Sequence, residues 1–309
     1  MTYSMKVKEE ICSRELSSVE ILAELAAIIR YDATIKENHI SLSFENALIA
    51  RRVYKDFKTL FNISLHVTVR NQKRFRNKQI YILDIKENAV MILERLNIYK
   101  NGVFLEMNRN HLEDPEEMIA FVQGAFLVIG SLNDPATGGY HLEFVFVKEK
   151  DANFFNLLLH EMKFDTKVLE RNGKFMVYLK NSEEISDMIR MFQASNSLFY
   201  FEDIRIYRDH KNMVNRLNNC EIANQEKSLQ AGMKQIKDIL YLQENDLVDL
   251  LDEKTKVVME YRLKYPESSY QELASIIGLE TGYIIGKSGI NHHFIKMKKL
   301  REVHENKKN

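Results

Sequence analysis

Two apolar helical runs lie a hundred positions apart, ending in Ala26-Ala27-Ile28-Ile29 and Phe126-Leu127-Val128-Ile129, and each is followed by the same order of patterns. After the first come an alternating stretch over 39–44, a helical period over 46–61, strand-like pieces over 64–70 and 79–85, and a helix over 88–96. After the second come a strand over 140–147, a helix over 153–162, two strands over 165–170 and 174–180 about the turn pair Asn172-Gly173, and a helix over 186–192. Helix, strand, helix, two strands, helix, repeated in that order, predicts an internal duplication. The expected product is a pseudo-symmetric α+β domain over 1–202, with repeats at about 14–100 and 114–200.

The repeats carry their own punctuation. A short helix is expected over 3–13. Ser18 is expected to cap the next, whose wide apolar face is Ile21, Leu22, Leu25, Ile28 and Ile29, with Ala23, Ala26 and Ala27 keeping it slim. Pro115 opens the corresponding helix of the second repeat, as proline does in a first turn. With only 3 prolines in 309 residues, long helices are favoured over a loop-rich fold.

Beyond the repeats the chain is very polar over 203–242, with Asn212, Asn215, Asn218, Asn219 and Asn224 beside Arg205, Arg208, Lys211 and Arg216. Met213, Leu217, Ile222 and Leu229 are too sparse there for a core helix, so 203–245 reads as a polar helical connector. An all-α domain is expected over 246–309, its core drawn from Leu247, Leu250, Leu251, Val257, Val258, Leu263, Leu273, Ile277, Ile290, Phe294 and Met297. Within it, Leu273, Ala274 and Ile277 recur at helical spacing and Gly278 is placed to end their helix. A second helix follows, with Ser288 as its expected cap and Ile290, Phe294 and Met297 as its buried stripe.

Opposite that stripe lie Ser288, Asn291, His292, Ile295, Lys298 and Lys299. This is the layout of a helix-turn-helix, one side anchoring the helix and the other offering polar groups to base edges and phosphates. The turn over 279–287 is longer than the usual 3–4 residues and holds Gly282 and Gly286, so an ordinary amphipathic helix pair is the competing reading. Charge tips the balance. From 287 onward Lys287, Lys296, Lys298, Lys299, Arg301, Lys307 and Lys308 face only Glu302 and Glu305, in a chain of formal net charge +0. The charge is sorted, not general. The DNA-binding set expected from this helix is Lys287, Ser288, Asn291, His292, Ile295, Lys296, Lys298, Lys299 and Arg301. A second DNA surface is expected at the hairpin over 70–78, where Arg70, Lys73, Arg74, Arg76 and Lys78 repel one another without an anionic partner.

Zero net charge argues against a general nucleic-acid coat protein but permits a local basic surface. Cys12 and Cys220 fit no metal or redox spacing, and two lone thiols point to a reducing compartment. The first ten residues are not a signal peptide and no run is long enough to span a bilayer, so a cytoplasmic, nucleoid-associated location is expected, without membrane insertion.

The quoted pieces also resemble a known family. Residues 124–135, Gly-Ala-Phe-Leu-Val-Ile-Gly-Ser-Leu-Asn-Asp-Pro, with Tyr140-His141-Leu142-Glu143 after them, are similar to the WhiA family of bacterial regulators. So are Asn215-Arg216-Leu217-Asn218-Asn219, Ala223-Asn224, Lys227 and Lys287-Ser288-Gly289-Ile290-Asn291-His292. The resemblance covers essentially the whole chain and implies a duplicated, degenerate LAGLIDADG homing-endonuclease-like domain followed by a helix-turn-helix that binds DNA. It implies a role in transcription, cell division and chromosome segregation, or sporulation in some relatives, with double-stranded DNA as partner and transcription or cell-division proteins as further partners. Two departures stand out. His293 follows the Asn-His pair where the family usually has Arg, and Glu24 stands in the first repeat where Gly124 stands in the second, which disfavours a close helix–helix approach on that side.

A working LAGLIDADG nuclease holds metal with one carboxylate at the foot of each paired helix. In register those positions are Ile29 and Ile129, which offer no oxygen ligand. Asp32 and Asp134 lie further on, in expected loops. His141 with Glu143, and His160 with Glu161, do not build a metal site by spacing. No nucleophile elbow, phosphate-cradling glycine loop or dinucleotide fingerprint is present. The expectation is a non-enzymatic DNA-binding protein with no catalytic residue, metal or cofactor. The alternatives are a protein-interaction scaffold with weak non-specific DNA binding, and an active nuclease.

Overall fold

The computed structural model describes residues 1–36, 38–72 and 78–308. It forms two compact units, Met1–Arg208 and Asp209–Asn309.

The first unit begins with α1 (Tyr3–Cys12) and α2 (Ser18–Asp32). Ser17, not Ser18, caps α2: its hydroxyl accepts from Glu20 N–H at 3.4 Å while the Glu20 carboxylate accepts from Ser17 N–H at 2.8 Å. That reciprocal pair satisfies two orphan donors, which Ser18 one residue further in cannot do. Then follow β1 (Thr34–Lys36), β2 (His39–Phe44), α3 (Ala47–Phe61), β3 (His66–Gln72), β4 (Lys78–Ile85) and α4 (Ala89–Arg95). A small hairpin, β5 (Tyr99–Lys100) and β6 (Val103–Phe104), leads to the second repeat. This runs α5 (Pro115–Ile129), β7 (Gly130–Leu132), β8 (Leu142–Phe146), α6 (Glu149–Glu161), β9 (Lys167–Arg171), β10 (Lys174–Leu179) and α7 (Ser182–Met191).

The two sheets have the same antiparallel topology, β1-β2-β4-β3 and β7-β8-β10-β9, so the duplication holds strand for strand. Each repeat gains one strand that periodicity did not reveal. β1 and β7 are three residues long, too short for alternation to register.

α2 and α5 are the central pair. From Ala23 to Ile29 every residue of α2 is buried, as expected of a helix packed on all sides. The pair comes close in spite of Glu24. A Cβ added at Gly124 would lie 2.4 Å from the Glu24 carbonyl oxygen and 3.1 Å from Ala27 Cβ. The Glu24 side chain turns away from this contact to Arg52 on α3, at 3.0 Å, so its length does not hold the helices apart. Behind α5, Phe126, Phe144, Phe155 and Phe192 fill the core of the second repeat, the Phe144 and Phe155 rings 4.6 Å apart.

α8 (Ser195–Glu244) is a single helix of 50 residues that begins in the first unit. Phe201 is buried near its start, and Ile239 and Leu242 are buried near its end in the core of the second unit. The stretch expected as a connector therefore contributes core residues at its C-terminal end, while Leu250, expected in that core, is exposed. The second unit continues with α9 (Glu253–Lys264), α10 (Tyr270–Thr281) and α11 (Lys287–Lys308). Its core gathers Ile239, Leu242, Leu251, Val258, Met259, Leu273, Ile277, Ile290, Phe294 and Met297. Arg262 is buried among them. Its guanidinium donates to the carbonyls of Tyr265, Pro266 and Ser268 at 3.3, 3.2 and 2.7 Å and lies 5.2 Å from the Phe294 ring centroid, closing the chain between α9 and α10.

Candidate nucleic-acid interface

α10 is held at its start by a capping box of its own, Ser269 with Glu272. It ends at Gly282, in the left-handed region at φ 75°, whose N–H donates to the Gly278 carbonyl. Gly278 therefore lies inside the helix and Gly282 is its terminator, because only the latter position needs the conformation glycine adopts freely. The turn shortens to residues 282–286. α11 starts at Lys287, with Ile290 N–H donating to the Gly286 carbonyl, so Ser288 sits inside the first turn and is not the cap.

Ile290, Phe294 and Met297 are buried, as their spacing predicts. At 100° per residue, Ser288, His292, Ile295 and Lys299 share the line most nearly opposite, and all four are exposed. Asn291 and Lys298 are exposed along one flank of that line. The turn adds apolar groups to the same end of the helix pair: Ile284 is fully exposed and Tyr283 partly so.

Two of the expected contact residues, Lys296 and Arg301, are committed elsewhere. Lys296 bonds the Asp252 carboxylate, which also caps α9 by accepting from Thr255 N–H at 2.8 Å. That ammonium, with the Thr255 N–H and hydroxyl, holds the Asp252 carboxyl well below the usual range. Arg301 pairs with Asp238 on α8 at 2.7 Å, and burial pushes the Asp238 carboxyl up against the pull of that arginine. Lys298 lies 3.6 Å from Glu302 one turn on, an exposed pair that leaves it available. His293 points inward: its Nδ1 meets the Thr255 hydroxyl at 2.8 Å, and burial lowers its pKa. The departure at this position therefore changes the seam between α9 and α11, not the exposed face. Sequence spacing hid these partners because Asp238, Asp252 and Thr255 belong to other helices.

The second expected basic surface is only partly placed. Arg70 is exposed on β3, while Lys73, Arg74 and Arg76 lie outside the described residues, as does the side chain of Lys78. At the feet of the paired helices, Ile29 is buried and Ile129 half-buried. Asp32 is the last residue of α2, not part of a loop, and burial raises its carboxyl to about 6 against the pull of Lys8. Asp134 closes a turn, accepting from Ala136 N–H at 2.9 Å and Tyr200 Oη–H at 3.1 Å. His141 pairs with Glu143 at 3.0 Å and His160 with the Thr166 carbonyl at 2.8 Å. Among the described residues no three His, Cys, Asp or Glu side chains converge, and no helix is long and apolar enough to cross a membrane.

A duplicated α+β unit with two central helices and two four-stranded sheets, joined to a bundle that ends in a helix-turn-helix, defines a LAGLIDADG-like domain fused to a helix-turn-helix domain. Three family models match in that order: the WhiA N-terminal LAGLIDADG-like domain over 18–99, the WhiA LAGLIDADG-like domain over 118–211 and the WhiA C-terminal HTH domain over 214–301. The chain belongs to the WhiA family. It is 35% identical over 316 residues to a protein of Bacillus velezensis named "Probable cell division protein WhiA", covering 99% of this chain and 96% of that one. A Staphylococcus aureus protein of the same name is 34% identical over 307 residues, covering 98% and 97%. The crystal structure of full-length DUF199/WhiA from Thermatoga maritima superposes with a TM-score of 0.56 at 22% identity, over 98% of both chains, and shares the fold.

Proposed function

We propose that this protein is a non-enzymatic, sequence-reading DNA-binding regulator of transcription that acts in cell division and chromosome segregation, in the cytoplasm at the nucleoid. The observation that carries the reading is the exposed line of α11, where Ser288, His292 and Lys299 stand beside Asn291 and Lys298 over a fully buried Ile290–Phe294–Met297 stripe. A rigid helix with an anchored back and a polar, cationic front fits a major groove. Asn291 and His292 lie near the N-terminal end, which reaches base edges, and Lys298 and Lys299 lie about two turns later, where phosphate is met. The cell-division role rests on the named relatives.

Isoleucine at both helix feet supports loss of cleavage, since neither Ile29 nor Ile129 can hold a divalent ion. With magnesium or manganese the purified protein is expected to leave plasmid DNA intact. Metal-dependent cleavage abolished by Asp32→Asn or Asp134→Asn would restore a nuclease. A salt titration of binding to selected and random duplexes tests the regulator itself. Preference for the selected duplex that survives at raised salt supports base reading, and equal affinity for both supports a non-specific anchor.

A further inference from the structure

Every residue of α8 from Asp209 to Lys227 is exposed, although Glu221, Ile222, Asn224 and Lys227 border grooves shared with the start of α10. Its composition is unusual for a bare helix. Asn212, Asn215, Asn218 and Asn219 fall within eight positions, although asparagine is a poor helix former that prefers turns and caps. None of these four amides makes a side-chain hydrogen bond among the described residues. From His210 to Cys220 the cations Lys211 and Arg216 meet no acid.

Helical geometry sorts these residues. Asn212, Asn215, Arg216 and Asn219 fall at i, i+3, i+4 and i+7, one continuous face, with Lys211 at its edge and Lys227 further along it. The exposed apolar residues Val214 and Leu217 fall on the opposite side, while Met213 and Ile222 flank the polar face. Asp209 stands at the near end of the polar face and Glu226 near its far end. Lone cations would suit any polyanion. A row of amides between them adds paired donors and acceptors, the pattern that matches the adenine edge, and the Arg216 fork matches guanine or phosphate. A membrane surface or an acidic protein can take single hydrogen bonds from the asparagines but offers no paired donor–acceptor edge like that of adenine.

We infer that the Asn212–Asn215–Arg216–Asn219 face of α8 is a second double-stranded DNA contact, in addition to that of α11, with the exposed helix lying in or across a major groove. The inference rests on the DNA-binding reading of α11. An uninterrupted helix can engage a groove over several turns, and Asn212 to Lys227 spans about 22 Å of helix axis.

The test uses the full chain with the substitutions Asn215→Ala, Arg216→Ala and Asn219→Ala combined. Alanine favours helix and the positions are exposed, so circular dichroism should show unchanged helicity. A second variant, Asn291→Ala with Lys299→Ala, alters α11 alone. Both are titrated with salt against a mixed-sequence duplex of about 40 bp and against a duplex enriched from a random pool by the wild-type chain, with hydroxyl-radical footprinting on the latter. The α8 variant is expected to bind about tenfold more weakly, to lose about one unit of log–log salt slope and to lose one contiguous part of the protection while the rest stays. If it matches the wild type in affinity, slope and footprint while the α11 variant fails, the inference is overturned, the α11 reading stands and the face belongs to a protein partner. If the wild-type chain binds neither duplex at low salt, the α11 reading falls and this one with it.

Discussion

Glu24 and Asp56 share one arginine inside the first unit. Arg52 Nε lies 3.0 Å from Glu24 Oε1 and 2.9 Å from Asp56 Oδ2, and its far nitrogen bonds the Arg14 carbonyl. One guanidinium faces two buried carboxyls, and the pair titrates together, both pushed up from the ordinary carboxylate range. Burial is the largest cause raising both, with Arg52 opposing, and burial raises Asp32 as well. Lys8 and Cys12 also face this region, and burial lowers Lys8 to about 8 and pushes the Cys12 thiol to about 12. A raised carboxyl means that the folded chain holds more protons than the unfolded one, so stability falls as pH rises. The fall should run from the ordinary carboxylate range near 4 up to about 6–7. Thermal unfolding at pH 5 and pH 8 should show the lower Tm at pH 8, and Asp56→Asn should flatten the difference. A Tm that rises over that interval would show both carboxyls ionised. On α11 the division of labour is also set by single residues. Asn291→Ala should reduce discrimination for the selected duplex by about 1–3 kcal/mol with little change in salt dependence. Lys299→Ala should weaken all duplexes alike and lower the salt slope by about one. The same uniform loss from both would mean that this helix does not read bases.

Among the elements, the α2–α5 pair is the most demanding. Gly124 lies so near the Glu24 carbonyl that any Cβ must move backbone, and backbone in a packed pair moves little. Gly124→Ala should cost roughly 2 kcal/mol or more by overpacking, read as a lower midpoint in urea. Gly278→Ala, inside α10 with only a 3.7 Å approach to the Tyr283 carbonyl, should be neutral or slightly stabilising. The contrast checks the reassigned end of α10. Much of this was legible in the chain. The strand over 39–44 and the buried stripe of α11 follow from period alone, because each has one face in a core and one in water. What escaped were features set by tertiary partners. Asp252 gives no local sign that it will claim Lys296, and nothing near Glu24 announces Arg52. Spacing alone does not tell which glycine ends α10, because Gly278 and Gly282 lie one turn apart and only backbone conformation separates a terminator from a tolerated interior glycine.

Across the whole molecule the boundary between modules follows core residues, not polarity. A fragment beginning near 246 looks self-sufficient by its own apolar content, yet the core of the second unit takes Ile239 and Leu242 from α8, both fully buried. Gln235 on α8 also donates to the Tyr270 hydroxyl at 2.5 Å, and a Cβ at Gly232 would lie 2.5 Å from the Pro266 carbonyl oxygen. The last turns of α8 are thus a wall of the helix-turn-helix domain. Removing a buried large aliphatic side chain costs about 2–5 kcal/mol, and losing two with their helix approaches the whole stability of a small domain. A fragment of residues 229–309 should therefore unfold cooperatively on heating, while 246–309 should show weak helicity and no transition by circular dichroism. Ile239→Ala within the longer fragment should lower its midpoint sharply. A shorter fragment as cooperative as the longer one would mean that α8 only rests against a domain complete without it.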